Sequence, residues 1–229
     1  FNVGQFTGQP LKNRLQAAVQ QLPDNDAART EQRLADAALT LIGGKQALPL
    51  NQNGRWRIVM PDAARCNAIV NAIKTLESQI TVACRPLVKL PDESPWQQWN
   101  SNDVLIVGDI TPAHTVAEMG GLDPQALIKQ RSRLTERHAF FQKLMEKSGK
   151  AGATNVFVSM RAPYNAADFS SVSDVQLATF GYNVEVTNSG EARGAVFTTL
   201  AKTLLGLHTP TGRSPVTLTS TLANQTQAQ

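Results

Sequence analysis

The stretch Asp103-Val-Leu-Ile-Val-Gly-Asp-Ile110 decides the fold. Its aliphatic run has no polar alternation, which is what a strand buried on both faces requires, and such strands belong to mainly parallel sheets. The run is far shorter than the ~20 residues of a membrane span. Working outward, helical and strand patterns alternate at the pitch of an α/β sheet covered on both sides. Upstream, strands are expected over 56–60 and 79–83. Between them a helix opens at Pro61-Asp62 and runs to about Glu77, with Ile69, Val70, Ile73 and Leu76 facing inward. Downstream come a loop over 111–121, a long helix over 124–147 and strands over 155–160 and 174–180. A helix over 191–205 and a short strand over 215–219 close the pattern.

The fold class is therefore α/β, an open, mainly parallel, flavodoxin-like sheet of about six strands with helices on both faces. Three segments are expected: a helical lead-in and linker over 1–28, the sandwich over 29–219, and a frayed polar tail over 220–229. In the lead-in, Leu11, Leu15, Ala18, Val19 and Leu22 share one helical stripe. A second helix is expected over 30–42, capped by Thr30, with Leu34, Ala37, Ala38, Leu41 and Ile42 on its apolar face and Gly43-Gly44 as its stop. A chain of this length buries roughly 70% of its unfolded surface, so it needs no metal or disulfide scaffold.

Charge and motifs narrow the chemistry. The formal net charge of +4 comes from sparse charges, and the densest basic stretch, 129–150, interleaves Glu136 and Glu146 at helical spacing. That pattern describes a solvated helix face rather than a nucleic-acid surface. Neither a membrane span nor a signal-peptide pattern is present, and a chain opening on Phe1 reads as a processed protein or a fragment. A periplasmic or secreted location is expected over a cytoplasmic one. Cys66 and Cys84 cannot make a four-ligand zinc framework. Two readings stay open for them, a pair of buried thiols or one disulfide. The loops leaving the strand ends carry no phosphate-cradling glycine spacing, which argues against a nucleotide enzyme, and no cofactor is expected. A stand-alone flavodoxin-like binding module for a small ligand or a protein partner is the competing reading, and a bound flavin would show as a yellow protein. His138 reads as helix surface and His208 as a turn residue. His114 shares its loop with Asp109 and Glu118, a chemically suitable setting for proton transfer. Trp96 and Trp99 read as cover for a core edge, with sugar stacking as the alternative.

Four motifs then carry a resemblance. Asn155-Val-Phe-Val-Ser-Met-Arg-Ala-Pro-Tyr164, Asp174-Val-Gln-Leu-Ala-Thr-Phe-Gly-Tyr182, the ending Leu200 to Val216 with Pro210-Thr-Gly-Arg-Ser-Pro215, and the opening Arg33 to Ile42 with Leu48-Pro-Leu50 occur in order. Together they resemble the C-terminal α/β-sandwich domain of glycoside hydrolase family 3, and the Arg-x-Pro-Tyr form is similar to the bacterial β-N-acetylhexosaminidase branch. The resemblance implies a partner: a catalytic (β/α)₈ barrel of the same parent protein, which holds the nucleophilic aspartate and a Lys-His-Phe-Pro-Gly-His type motif. Neither occurs in these residues. A retaining glycosidase sets two carboxyl groups ~5–5.5 Å apart across the scissile bond, and the chain lacks the barrel's half.

In the family's β-glucosidase branch the acid/base glutamate comes from the sandwich, after a strand ending Val-Gly-Glu. Here the text is Val107-Gly-Asp109, and Glu118 is the acid/base candidate by position. The hexosaminidase branch uses a barrel histidine instead, which leaves Glu118 as a loop carboxylate. Arg161 and Tyr164 are the substrate-binding candidates, lying where their loop would face a barrel or a carbohydrate. Neither a metal site, a nucleic-acid partner nor activity of the isolated chain is expected.

Overall fold

The computed structural model describes residues 10–21, 25–87, 98–111, 124–187 and 189–218, with side chains in the long helix from residue 135 onward. Helices α1 (Leu11–Gln21) and α2 (Asn25–Ala38) lead into strand β1 (Thr40–Gly43). There follow β2 (Arg55–Met60), α3 (Ala63–Leu76), β3 (Thr81–Pro86), β4 (Val104–Thr111), α4 (Pro124–Lys150), β5 (Thr154–Arg161) and β6 (Val175–Ala178). A two-stranded ribbon of β7 (Glu185–Val186) and β8 (Ala192–Arg193) precedes α5 (Ala195–Leu204).

The six-stranded sheet runs β1-β6-β5-β4-β2-β3. Every pairing among β2 to β6 is parallel, and β1 joins β6 antiparallel. Without β1, the parallel strands have the order of flavodoxin-like sheets, whose topological switch point lies between the first and third strands. Here those are β2 and β4. The expected fold class is thus borne out.

Alternating residues of each strand feed two cores. Trp56, Ile58, Val104, Ile106, Val156, Val158 and Leu177 pack with α3 and α5. Val59, Leu105, Val107 and Phe157 pack with Phe141, Leu144 and Met145 of α4 and with Phe169 of a 3-10 turn, Ala166–Phe169. Each fully buried aliphatic or aromatic side chain contributes about 1.5–3 kcal/mol, so both layers are needed. Asp62 caps α3, accepting the Arg65 backbone N–H at 2.9 Å, as Pro61-Asp62 implied. Trp99 covers a core edge as expected, packing on the second cluster; Trp96 lies outside the described residues.

Three element expectations are corrected. The second helix ends at Ala38 rather than running to Ile42, because Leu41 pairs with Leu177 in the sheet and the buried Leu39 turns the chain into β1. Its buried face is also rotated from the expected one. Leu34 is 64% exposed, while Ala35 is buried and Gln32 and Asp36 reach Thr199 of α5. Gly44 is therefore no helix stop. It holds φ 82° where an added Cβ would stand 1.7 Å from the Asp174 carbonyl oxygen, a close approach only glycine permits. The last strand is also absent among the described residues of 215–218. There Ser214 turns back on Val216, and Leu218 packs on the second core, so β1 takes the sixth place in the sheet.

Candidate functional site

In open α/β sheets, ligands and partners meet the carboxyl ends of the strands, where loops rather than ladders present side chains. Three strand ends are informative here.

At the end of β4, Asp109 is 1% exposed and faces the α4 side. Arg137 of α4 pairs with its Oδ1 at 3.0 Å, and His138 Nε2 lies 3.3 Å from Oδ2. Asn165, in the loop after β5, donates its Nδ2 to the same Oδ2 at 2.7 Å. Asn165 is held in turn by Ser159, whose hydroxyl lies 2.9 Å from Asn165 Oδ1 and 2.8 Å from the Ala162 carbonyl. Two elements, α4 and the loop after β5, thus converge on the carboxylate at the end of β4. This corrects the reading of His138 as helix surface. Its side chain is 19% exposed and meets the Phe169 ring edge-on with centroids 5.3 Å apart. Helical spacing shows a charged neighbourhood but cannot show that Asp109 lies across from it. Asp109 itself is turned inward towards these groups and ties the strand end to α4 and the loop after β5.

At the end of β5, Arg161 adopts φ 73°, and Phe180, just beyond the neighbouring β6, adopts φ 53°. A non-glycine residue in this region costs of order 1–3 kcal/mol and persists only where its surroundings hold it. For Arg161 the holder is Tyr182. An Arg161 Nη2 donates to the Tyr182 hydroxyl at 2.9 Å, and the guanidinium carbon lies 5.0 Å from the ring centroid. Arg65 approaches the same ring at 5.2 Å, donates Nε to the Tyr182 carbonyl at 3.0 Å and pairs with Asp62. Cation–π contacts of this kind are worth about 0.5–1 kcal/mol at exposed sites and more when desolvated.

Tyr164 stands 53% exposed on the same loop, behind a buried Pro163. The sequence reading singled out Arg161 and Tyr164 and missed Arg65 and Tyr182. Only the final Tyr of the second motif hinted at them. Glu118 and His114 lie outside the described residues.

The opposite end of the sheet is also built around a buried carboxylate. Asp103, 1% exposed, accepts from Arg55 Nε at 3.0 Å and Nη2 at 2.7 Å. It also accepts the Asn100 backbone N–H at 3.1 Å. Arg57 lies 3.7 Å from Asp103, stacks 4.2 Å from the Trp99 ring centroid and donates to the Gln98 carbonyl at 2.6 Å. Burial alone would raise the Asp103 pKa, but the Arg55 and Asn100 hydrogen bonds and both arginine charges hold it below the ordinary value. Burial, with the nearby Arg55 charge, pulls Arg57 down. Among the described residues no group of three His, Cys, Asp or Glu side chains could hold a metal ion, and no helix is long and apolar enough to cross a membrane.

What these features define is a flavodoxin-like α/β sandwich with a buried carboxylate near each end of β4 and an arginine clasped by Tyr182 at the end of β5. Comparison places it further. No protein-family profile matches the chain. Beta-hexosaminidase A of Pseudoalteromonas piscicida is 29% identical over 193 residues, which is 83% of this chain and 32% of that enzyme. The chain therefore spans about a third of the length of this relative. A beta-glucosidase from Listeria innocua, solved in complex with glucose, superposes with a TM-score of 0.52 at 14% identity, over 82% of this chain and 26% of that one. That likeness concerns the fold. The resemblance to the sandwich domain of family 3 glycoside hydrolases is borne out: the chain matches one part of a longer glycosidase and shares the fold of one part of another.

Proposed function

We propose that the chain is the C-terminal accessory domain of a glycoside hydrolase of β-N-acetylhexosaminidase type, acting on glycans of carbohydrate or cell-wall metabolism, with the catalytic residues mainly in a (β/α)₈ barrel. The observation that carries this reading is the match to a beta-hexosaminidase over most of this chain and only 32% of that enzyme. The strand-end architecture supports it. Asp109 is consumed in holding α4 and the Asn165 loop, which fits a buttress better than an acid/base centre. Arg161, locked by Tyr182, and the exposed Tyr164 are the residues that would meet the barrel or a sugar at its cleft.

The purified chain is expected to show no turnover of a nitrophenyl N-acetylglucosaminide, while the full-length parent turns it over. Turnover by the isolated chain, or none by the parent, sinks the proposal. In the parent, Glu118→Gln is expected to change kcat less than tenfold. A loss of about 10²–10⁴, the usual share of a general acid, would move the acid/base into this domain.

A further inference from the structure

Cys66 and Cys84, the two cysteines of the chain, are joined in the structure. We infer from their placement that the protein matures and works in an oxidising compartment outside the cytoplasm. Taken with the proposed function, on which this last step rests, the glycan it acts on is an extracytoplasmic one.

Cys66 lies on the buried face of α3 at 4% exposure, and Cys84 sits in β3 on the side facing the same core cluster. Their Cα atoms are 5.4 Å apart, inside the span a disulfide requires. The bond also has a structural task. Among the described residues β3 is the sheet's edge, paired on one side only, to β2. The bond ties this strand to α3, which packs under the sheet beside α5. Other duties of a cysteine pair are not in view. No metal-holding group exists among the described residues, and a Cys66 thiol this deeply buried is inaccessible as a nucleophile. Structural disulfides persist where the thiol pool is oxidised and are rare in the reducing cytosol.

Forming the bond removes two electrons and two protons from the two thiols. A thiol–disulfide oxidase of the export compartment takes them, its own disulfide becoming a dithiol through a mixed-disulfide exchange.

Lys74 separates the two cysteines in sequence, so trypsin leaves them on different peptides held together only by the disulfide. The full-length protein should be recovered from its own cells, quenched in acid, alkylated and mapped, with its compartment determined by fractionation. The expected result is a linked peptide pair, released only by reductant, from protein outside the cytoplasm. Unlinked, alkylated cysteines, or a protein confined to the cytoplasm, would overturn the inference. Purified protein should also lose about 6–12 °C of melting temperature on reduction or as Cys66→Ser with Cys84→Ser, given a loop and a domain of this size. An unchanged melting temperature would remove the structural task. Hydrolysis of the nitrophenyl N-acetylglucosaminide by the same fraction is scored separately. An exported, linked but inactive protein would sink the proposed function and leave the compartment standing.

Discussion

β4 carries a buried aspartate at each end, and the two are used differently. Asp103, just before the strand, is held by Arg55 and Arg57 of the adjacent β2 and by the Asn100 turn of its own chain. Asp109, near the other end, gathers Arg137 and His138 from α4 and Asn165 from the loop after β5. Both carboxylates are 1% exposed, so burial does not distinguish them. Partner geometry does. Arg55, which makes the hydrogen bonds to Asp103, is 47% exposed and shares its charge with solvent, while Arg57, at 8%, stands 3.7 Å off; Arg137 is 22% and His138 19% exposed. The amino end is a local clasp between neighbouring strands. The carboxyl end is a long-range knot fixing α4 and the loop after β5.

The largest expected effect breaks the knot. Asp109→Ala should cost about 3–5 kcal/mol in urea unfolding, because it strands the Arg137 charge beneath α4. A loss below 1 kcal/mol would show that the knot is ornamental. Asp103→Asn should cost less, about 2 kcal/mol, since solvent around Arg55 discounts the pair. It also sharpens the comparison through pH. The folded-state pKa of Asp103 is depressed, so its stabilisation is present above the unfolded carboxylate value and is lost as pH falls through the lower folded value.

Asp36 follows the same sign. Burial opposes its ionisation, but Thr199 and Gln32 hydrogen bonds and the Lys202 and His208 charges outweigh it. Wild-type stability should therefore fall below about pH 4, and the combined Asp103→Asn, Asp36→Asn variant should show a flatter acid limb. An acid limb of unchanged slope would refute the assignment. Tyr182→Phe removes the hydroxyl that Arg161 uses and should cost about 0.5–1.5 kcal/mol. In the parent enzyme its KM should rise more than its kcat falls, if this loop meets the sugar. Smallest of all, Leu34→Gln on the exposed face of α2 should stay within about 0.5 kcal/mol of wild type in the same unfolding assay.

How much of this was legible varied with the range of the interaction. Val104 to Val107 and Val156 to Val158 announce buried strands locally, because a doubly covered strand needs apolar residues on both faces. Asp62 announces a helix start because its carboxylate serves an N–H three residues on. β1 was misread for the converse reason. Leu34, Ala38, Leu41 and Ile42 fit a helical stripe, and only the antiparallel pairing of Leu41 with Leu177 makes the last two a strand. His138 escapes the local pattern for the same reason, its decisive neighbour standing 29 positions away.

By itself the sequence determined the α/β class, the order of its parallel strands along the chain and the likeness to a glycosidase sandwich, and it marked Arg161 and Tyr164 as candidates. Those rest on local periodicity and motif order, which the chain carries without being folded. Only the tertiary structure decided that the sixth strand is β1, that Cys66 and Cys84 meet, and that Asp109 binds His138 and Tyr182 clasps Arg161. Each of these depends on burial that brings distant residues within bonding distance, and no local pattern encodes a contact whose energy exists only once the core around it has closed.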